Sequence, residues 1–383
     1  MNSSALKSLP SQILESNSSD EIVAVSELIA DLKISELAGV IFFCSAHYDL
    51  EILTSALNSH FDCPLIGCTT AGEIAGKYKS DSIVALAFSN KTFVLHPLLI
   101  ENLQTFDLAD SMQLANTVER QLQYSARLSA ENMFGFLLSD GLSLKEENLI
   151  ARLSQSFDSI DIFGGSAGDN LEFGQTFVFY NGQFYSNAAV LTIFELKDDF
   201  CLFKTQHFVA TSKELITTEV DFEKRIVKEI NGQPAAIAYA NINGLNSDSL
   251  TSMDFAMYPL MINLSDEWYI RSIANVYPDK SLQFYCAIDD GLPLSVAEGH
   301  DMLTRLEECT EGIIDKFEEI YFTLGCDCIL RRLENINKNK LGDFDSIFSK
   351  LKFIGFNSYG EQFNGVHFNQ TMAGVVVGKL RHE

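Results

Sequence analysis

The sequence predicts an α/β protein with mixed β-sheets and flanking helices, built from repeated strand-helix-strand-turn-strand units in two domains. Three observations carry this reading. Apolar runs of strand length alternate with helix-periodic stretches. A turn carrying a hydroxyl, a glycine and an acid recurs along the chain. Asn-Gly dipeptides between alternating runs mark antiparallel hairpins.

The elements follow in order. Residues 1–34 read as an N-terminal extension, and the first repeat runs from Gly39 to Phe88. There the strand GVIFFCS precedes a helix carrying Leu50, Ile52, Leu53, Ala56 and Leu57, then PLIGC, the TTAGE turn and the strand SIVALAF. Met133 to Phe194 repeats the order, with FGFLLSDG, a helix holding Leu144, Asn148, Leu149, Ala151 and Leu153, then SIDIFGGSAGDN and NAAVLTIF. Ile320 to Gly378 repeats it again, less faithfully, ending in KFIGFNSYGEQ and TMAGVVVG.

Aligned on their turns, the repeats pair Ile66, Ile162 and Ile354; Thr70, Ser166 and Ser358; Gly72, Gly168 and Gly360; and Glu73, Asp169 and Glu361. Between the second and third repeats, VFYNGQFY reads as a hairpin, and VKEINGQPAA as a strand, an Asn-Gly turn and a proline-opened helix. The principal boundary falls near residue 230, giving domains at 35–229 and 230–383.

Composition narrows the function. The chain has 383 residues, 46% of them hydrophobic, enough for a sizeable core, and 27 basic against 52 acidic side chains give a net charge of −25. Such a surface repels phosphate backbones and anionic lipid, so neither nucleic acid nor membrane is an expected partner. No secretory signal or membrane-length apolar run is legible, which predicts a cytoplasmic protein. Its eight cysteines, Cys326 and Cys328 included, are too sparse for a disulfide scaffold and lack zinc-finger spacing.

Two readings of the repeated turn stand side by side. Structurally, glycine allows positive φ while the hydroxyl and carboxylate cap turn amides. Functionally, the turns converge on a recess where Cys68, Thr69, Thr70, Glu73, Ser166, Asp169 and Glu361 hold a small polar ligand. The segment from Gly72 to Tyr78 fails the phosphate-loop pattern, and Gly164 to Gly168 lacks dinucleotide spacing. Cys68 has no base placed in a diagnostic signature with it, so no enzyme is predicted. His207 and His367 lie among aromatic and apolar neighbours, where an imidazole either coordinates haem iron or serves as a hydrogen-bonded strand residue.

Taken together, IGCTTAGEI, GGSAGDN, RIVKEINGQPAAIAYA and FIGFNSYGEQFNGVHFNQT resemble the FIST family, whose N- and C-terminal domains occur together in bacterial signalling. The resemblance runs from about Ser35 to Gly378. It implies ligand sensing rather than catalysis, with amino acids among the ligands. One branch of two-domain FIST proteins of this length binds haem, senses nitric oxide and controls a partner histidine kinase or cyclic-di-GMP enzyme. In that case His207 or His367 would be the iron ligand. This sequence departs from the tidier pattern at its third turn, where Phe356, Asn357 and Tyr359 replace Cys68, Thr69 and Ala71, so the turns are expected to do different work.

Overall fold

A computed structural model describes residues 9–125, 132–264 and 266–381. The mixed α/β class is as expected, and the repeats are larger than their sequence pattern. The first comprises β1 (Ser11–Ser16), α1 (Glu21–Asp31), β2 (Leu37–Ser45), α2 (Leu50–His60), β3 (Leu65–Thr70), the hairpin β4 (Glu73–Ala75) and β5 (Tyr78–Lys79), and β6 (Ile83–Ser89). The segment read as an extension is therefore part of the fold over its described residues. β1 pairs with β6 as an edge strand, and Ala24, Val25 and Leu28 of α1 are buried. Its first eight residues lie outside those described.

The second repeat has the same order: β7 (Phe93–Glu101), α3 (Leu108–Ser125), β8 (Met133–Ser139), α4 (Glu146–Ser156), β9 (Ile162–Ser166), the hairpin β10 (Val178–Tyr180) and β11 (Gln183–Tyr185), and β12 (Ala188–Leu196). The third opens with β13 (Asp199–Thr205) and is then interrupted by a long insertion. That insertion holds β14 (Phe208–Asp221), β15 (Ile226–Ile230), β16 (Gln233–Pro234), α5 (Ala235–Asn243), α6 (Ser252–Met257), β17 (Leu260–Leu264), β18 (Glu267–Arg271), β19 (Ile273–Val276), β20 (Leu282–Phe284) and β21 (Pro293–Gly299). The repeat resumes with α7 (Met302–Ile314), β22 (Phe317–Cys328), α8 (Ile329–Asn337), α9 (Asp345–Lys350), β23 (Phe353–Ser358), the hairpin β24 (Glu361–Phe363) and β25 (Val366–Phe368), and β26 (Met372–Leu380).

Each repeat builds one sheet, yet each sheet is completed by another repeat's hairpin. The strand orders are β1-β6-β2-β3-β10-β11, β7-β12-β8-β9-β24-β25 and β13-β26-β22-β23-β4-β5. The central pair is parallel in all three, and the turn residues occupy one register, Thr70 beside Ser45, Ser166 beside Ser139, Ser358 beside Cys328. The exchanged hairpins add antiparallel, with Val178 against Cys68, Glu361 against Gly165 and Glu73 against Phe356. The exchange is cyclic: first repeat to third, third to second, second to first.

Strand periodicity explains how the sheets pack. On β2, Ile41 and Phe43 face a common core shared with Phe134, Phe136 and Leu138 of β8 and Phe322, Leu324 and Cys326 of β22. Val40, Phe42 and Cys44 face the other way, under α1 and α2. Three sheets thus surround one aromatic-rich core, with Phe43 stacked on Phe356 at 4.7 Å, and helices cover the outer faces. The insertion forms a fourth, antiparallel sheet with its own core around Tyr239, Phe255 and Phe284.

Candidate functional site

The three turns do converge, and their backbones bond in a closed ring. The Gly168 and Asn170 amides donate to the Thr69 and Thr70 carbonyls at 3.0 and 3.3 Å. Ala71 donates to Asn357 at 3.1 Å, and Asn357 returns a 2.7 Å bond to Gly72. Ser166 donates to Gly360 at 2.9 Å and Tyr359 donates to Ser166 at 3.1 Å. Buried backbone polar groups need partners. Here each turn finds them on its neighbours.

Two of the three acids serve their own repeats. Glu73 accepts from Thr70 Oγ1 at 2.5 Å and from the Ser82 amide and hydroxyl at 3.2 and 2.7 Å. Glu361 accepts from Ser358 Oγ at 2.5 Å and from the Thr371 amide and hydroxyl at 3.3 and 2.7 Å. Burial raises both carboxyls, Glu361 to about 8, against the opposing pull of those hydroxyls. Asp169 differs: it gathers the amides of Phe173, Gly174 and Gln175, and accepts from the Tyr359 hydroxyl across the repeat boundary. Cys68 is sealed in the central core, where desolvation pushes its thiol well above the ordinary range.

The glycines have reasons the sequence did not reveal. Among the turn glycines only Gly72 has positive φ, at 137°. At Gly168 an added Cβ would sit 2.8 Å from the Ala71 nitrogen, and at Gly360 it would sit 2.3 Å from His367 Cε1. Close approach, to the first repeat's turn at Gly168 and to the third repeat's own hairpin at Gly360, requires those two rather than backbone conformation.

So the expected recess is displaced. None of Cys68, Thr69, Thr70, Glu73, Ser166, Asp169 or Glu361 lines the cavity that opens beside the ring. This cavity, of about 430 Å³, lies between the second repeat, the third turn and the fourth sheet. Phe173, Tyr285 and Tyr359 form an aromatic wall, Phe173 stacking on Tyr359 at 5.1 Å. Glu146 and Arg225 give it one anionic and one cationic group, with Asn275 and Gln283 as amides.

A buried charge cluster stands behind that wall. α4 begins with Glu146 and Glu147, acids favoured at a helix N-terminus. Arg225 Nη2 binds both, each at 2.5 Å, and Nη1 donates to the Tyr285 carbonyl. Glu147 also accepts from the Ala287 amide at 2.7 Å. Burial pushes Glu146 up to about 7 despite Arg225, while at Glu147 Arg225, the Ala287 amide and Arg271 outweigh burial and hold the carboxyl low. Cys286 Sγ lies 2.9 Å from Asn369 Oδ1.

The two histidines occupy separate places. His207, between β13 and β14, bonds Glu334 through Nε2 at 2.9 Å, and its buried Nδ1 has no partner. His367 joins the charge cluster, with one nitrogen, Cys286 Sγ and a Glu147 oxygen within 4.8 Å of one another. Burial lowers His367 to about 4, leaving it neutral. Sequence reasoning found His367 but missed Glu146, Glu147, Arg225 and Cys286. Arg225 ends the charged run Phe222-Glu223-Lys224-Arg225, which reads as a solvated turn. Only its burial, at 3% exposure, sets it apart.

Comparison with known proteins agrees with this architecture. Residues 38–233 match the FIST N domain and residues 235–364 the FIST C domain. An uncharacterized protein of Methanocaldococcus jannaschii is 25% identical over 272 residues, 67% of this chain and 51% of that protein. The chain therefore spans about half the length of that relative. No described helix is long and apolar enough to cross a membrane.

Proposed function

The chain belongs to the FIST family, and on that premise we propose that it senses a small ligand held in the cavity beside the turn ring. FIST domains are small-ligand sensing domains of signalling, a sensor family rather than a catalytic one. The ligand we favour is an amino acid or related zwitterion. Arg225 offers the charge for a carboxylate, Glu146 the charge for an ammonium, and Phe173 and Tyr285 an apolar wall. One observation carries the reading: that cavity joins side chains of the second repeat, the third turn and the fourth sheet. A bound molecule would therefore press on elements from both domains at once, and a cytoplasmic histidine kinase or cyclic-di-GMP enzyme would read the change.

Haem with nitric oxide as signal is the competing reading, and the two histidines argue against it. The His207 side chain is fully buried with its Nε2 engaged by Glu334. The His367 ring packs against Gly360. Neither lines the cavity, so neither presents its imidazole to a haem-sized group held there.

A thermal-shift screen of the purified chain against amino acids and small zwitterions tests the proposal. A ligand at 100 times its dissociation constant stabilises by about 2.7 kcal/mol. A flat screen with a Soret band on adding haem would reverse the preference.

A further inference from the structure

The wall behind the cavity holds a donor set that a zwitterion does not use. Glu147 comes from α4 of the second repeat, Cys286 from the segment after β20 of the fourth sheet, and His367 from β25 of the third repeat. Their donor atoms all lie within 4.8 Å of one another. We propose that Glu147, Cys286 and His367 bind a thiophilic divalent cation, zinc in particular.

The donor chemistry selects the metal. Magnesium and calcium take oxygen ligands, whereas one sulfur, one imidazole nitrogen and one carboxylate oxygen suit zinc. Tetrahedral zinc at its usual bond lengths sets its donors roughly 3.3–3.6 Å apart, so closure asks for shifts of about an ångström. Three protein ligands leave the fourth position open. On binding, the Cys286 thiol gives its proton to solvent and the thiolate coordinates. A carboxylate has about four acceptor sites, so Glu147 can keep Arg225 and Ala287 and still reach the ion.

An outer contact supports the assignment. Gln362 Nε2 donates to Ser166 Oγ at 2.9 Å and lies 3.3 Å from His367 Nδ1, while Gln362 Oε1 is buried without a partner. Half a turn of that amide, with the Ser166 hydroxyl turned to donate to Oε1, puts Oε1 against the Nδ1 proton, which fixes the tautomer and frees the Nε2 lone pair for a metal. The ion would tie together three of the cavity's walls.

The test uses the whole chain, purified without chelator, assayed for zinc by elemental analysis and titrated with cobalt(II) to read thiolate-to-metal absorption. About one equivalent of metal and a thiolate band are expected for a single tetrahedral site. Cys286→Ser should abolish the band, and His367→Gln should weaken cobalt binding by about tenfold or more. Cys328→Ser, at a buried cysteine outside the cluster, should leave both unchanged. A wild-type chain with neither zinc nor band overturns the proposal, as does a band that survives Cys286→Ser. Should Cys286→Ser fail to melt cooperatively, His367→Gln and Glu147→Gln decide, and wild-type affinity in both overturns it. The zwitterion screen is read separately, so either proposal can fail alone.

Discussion

The Tyr359 hydroxyl donates to the Asp169 carboxylate and accepts from the amides of Asp169 and Leu171, the latter two at 3.2 and 2.8 Å. One phenol at the tip of the third turn thus organises the loop that follows the second. That loop holds Asn170, Leu171 and Phe173 at positive φ, a conformation non-glycine residues adopt at a cost.

Tyr359→Phe strands the amides of Asp169 and Leu171 and takes one donor from the Asp169 carboxylate, which keeps its three backbone amides. Loss of a buried partner costs about 1–3 kcal/mol. Denaturant unfolding should show that loss, and limited proteolysis should cut first between residues 169 and 176.

Phe173 is 46% exposed, so its truncation removes cavity wall without opening the core. Phe173→Ala should change the melting temperature little but weaken the ligand found in the screen by about tenfold, the worth of an aromatic contact of ~1.4 kcal/mol. Isothermal titration of that ligand against both proteins checks it.

Gly168→Ala places a methyl against the Ala71 backbone, where no flexible side chain can yield. Overpacking of this kind costs about 1–3 kcal/mol. Chemical denaturation should register it, whereas Gly312→Ala, with open space around its Cβ, should not show a clash.

Glu73 supplies a pH signature. Burial raises its folded pKa above the ordinary 4.5, so its proton is held more tightly in the native state than in the unfolded chain. Its contribution to stability is full below that ordinary value and is lost as pH rises through the folded one. Glu73→Gln mimics the protonated acid at every pH. The variant should match wild type in acid and gain on it toward neutral pH, as read from melting temperatures across a pH series.

What was legible in the sequence was local. Asn181 and Gly182 declare their hairpin because both adopt positive φ, and Ile66, Ile162 and Ile354 declare their repeats because strand registers recur. The hairpin exchange left no local mark, since nothing within Glu73–Ala75 specifies that its partner is Phe356. The cavity was hidden for a related reason. Glu146, Arg225 and Tyr285 come from three distant segments, and each alone looks like an ordinary helix-start acid, a turn cation and a strand aromatic. The acids of the repeated turns were conspicuous because they recur, and two of them recur as caps.

Cyclic exchange has a bearing on how this molecule can be divided. A cut near residue 230 leaves Glu73–Ala75 on one fragment and Phe353–Ser358 on the other, each with an unmet sheet edge. The fragments should behave as halves of a split protein, sticky apart and complementing when mixed. By the same logic, a lone repeat unit has an obvious way to satisfy its own edges, by assembling with two further copies of itself.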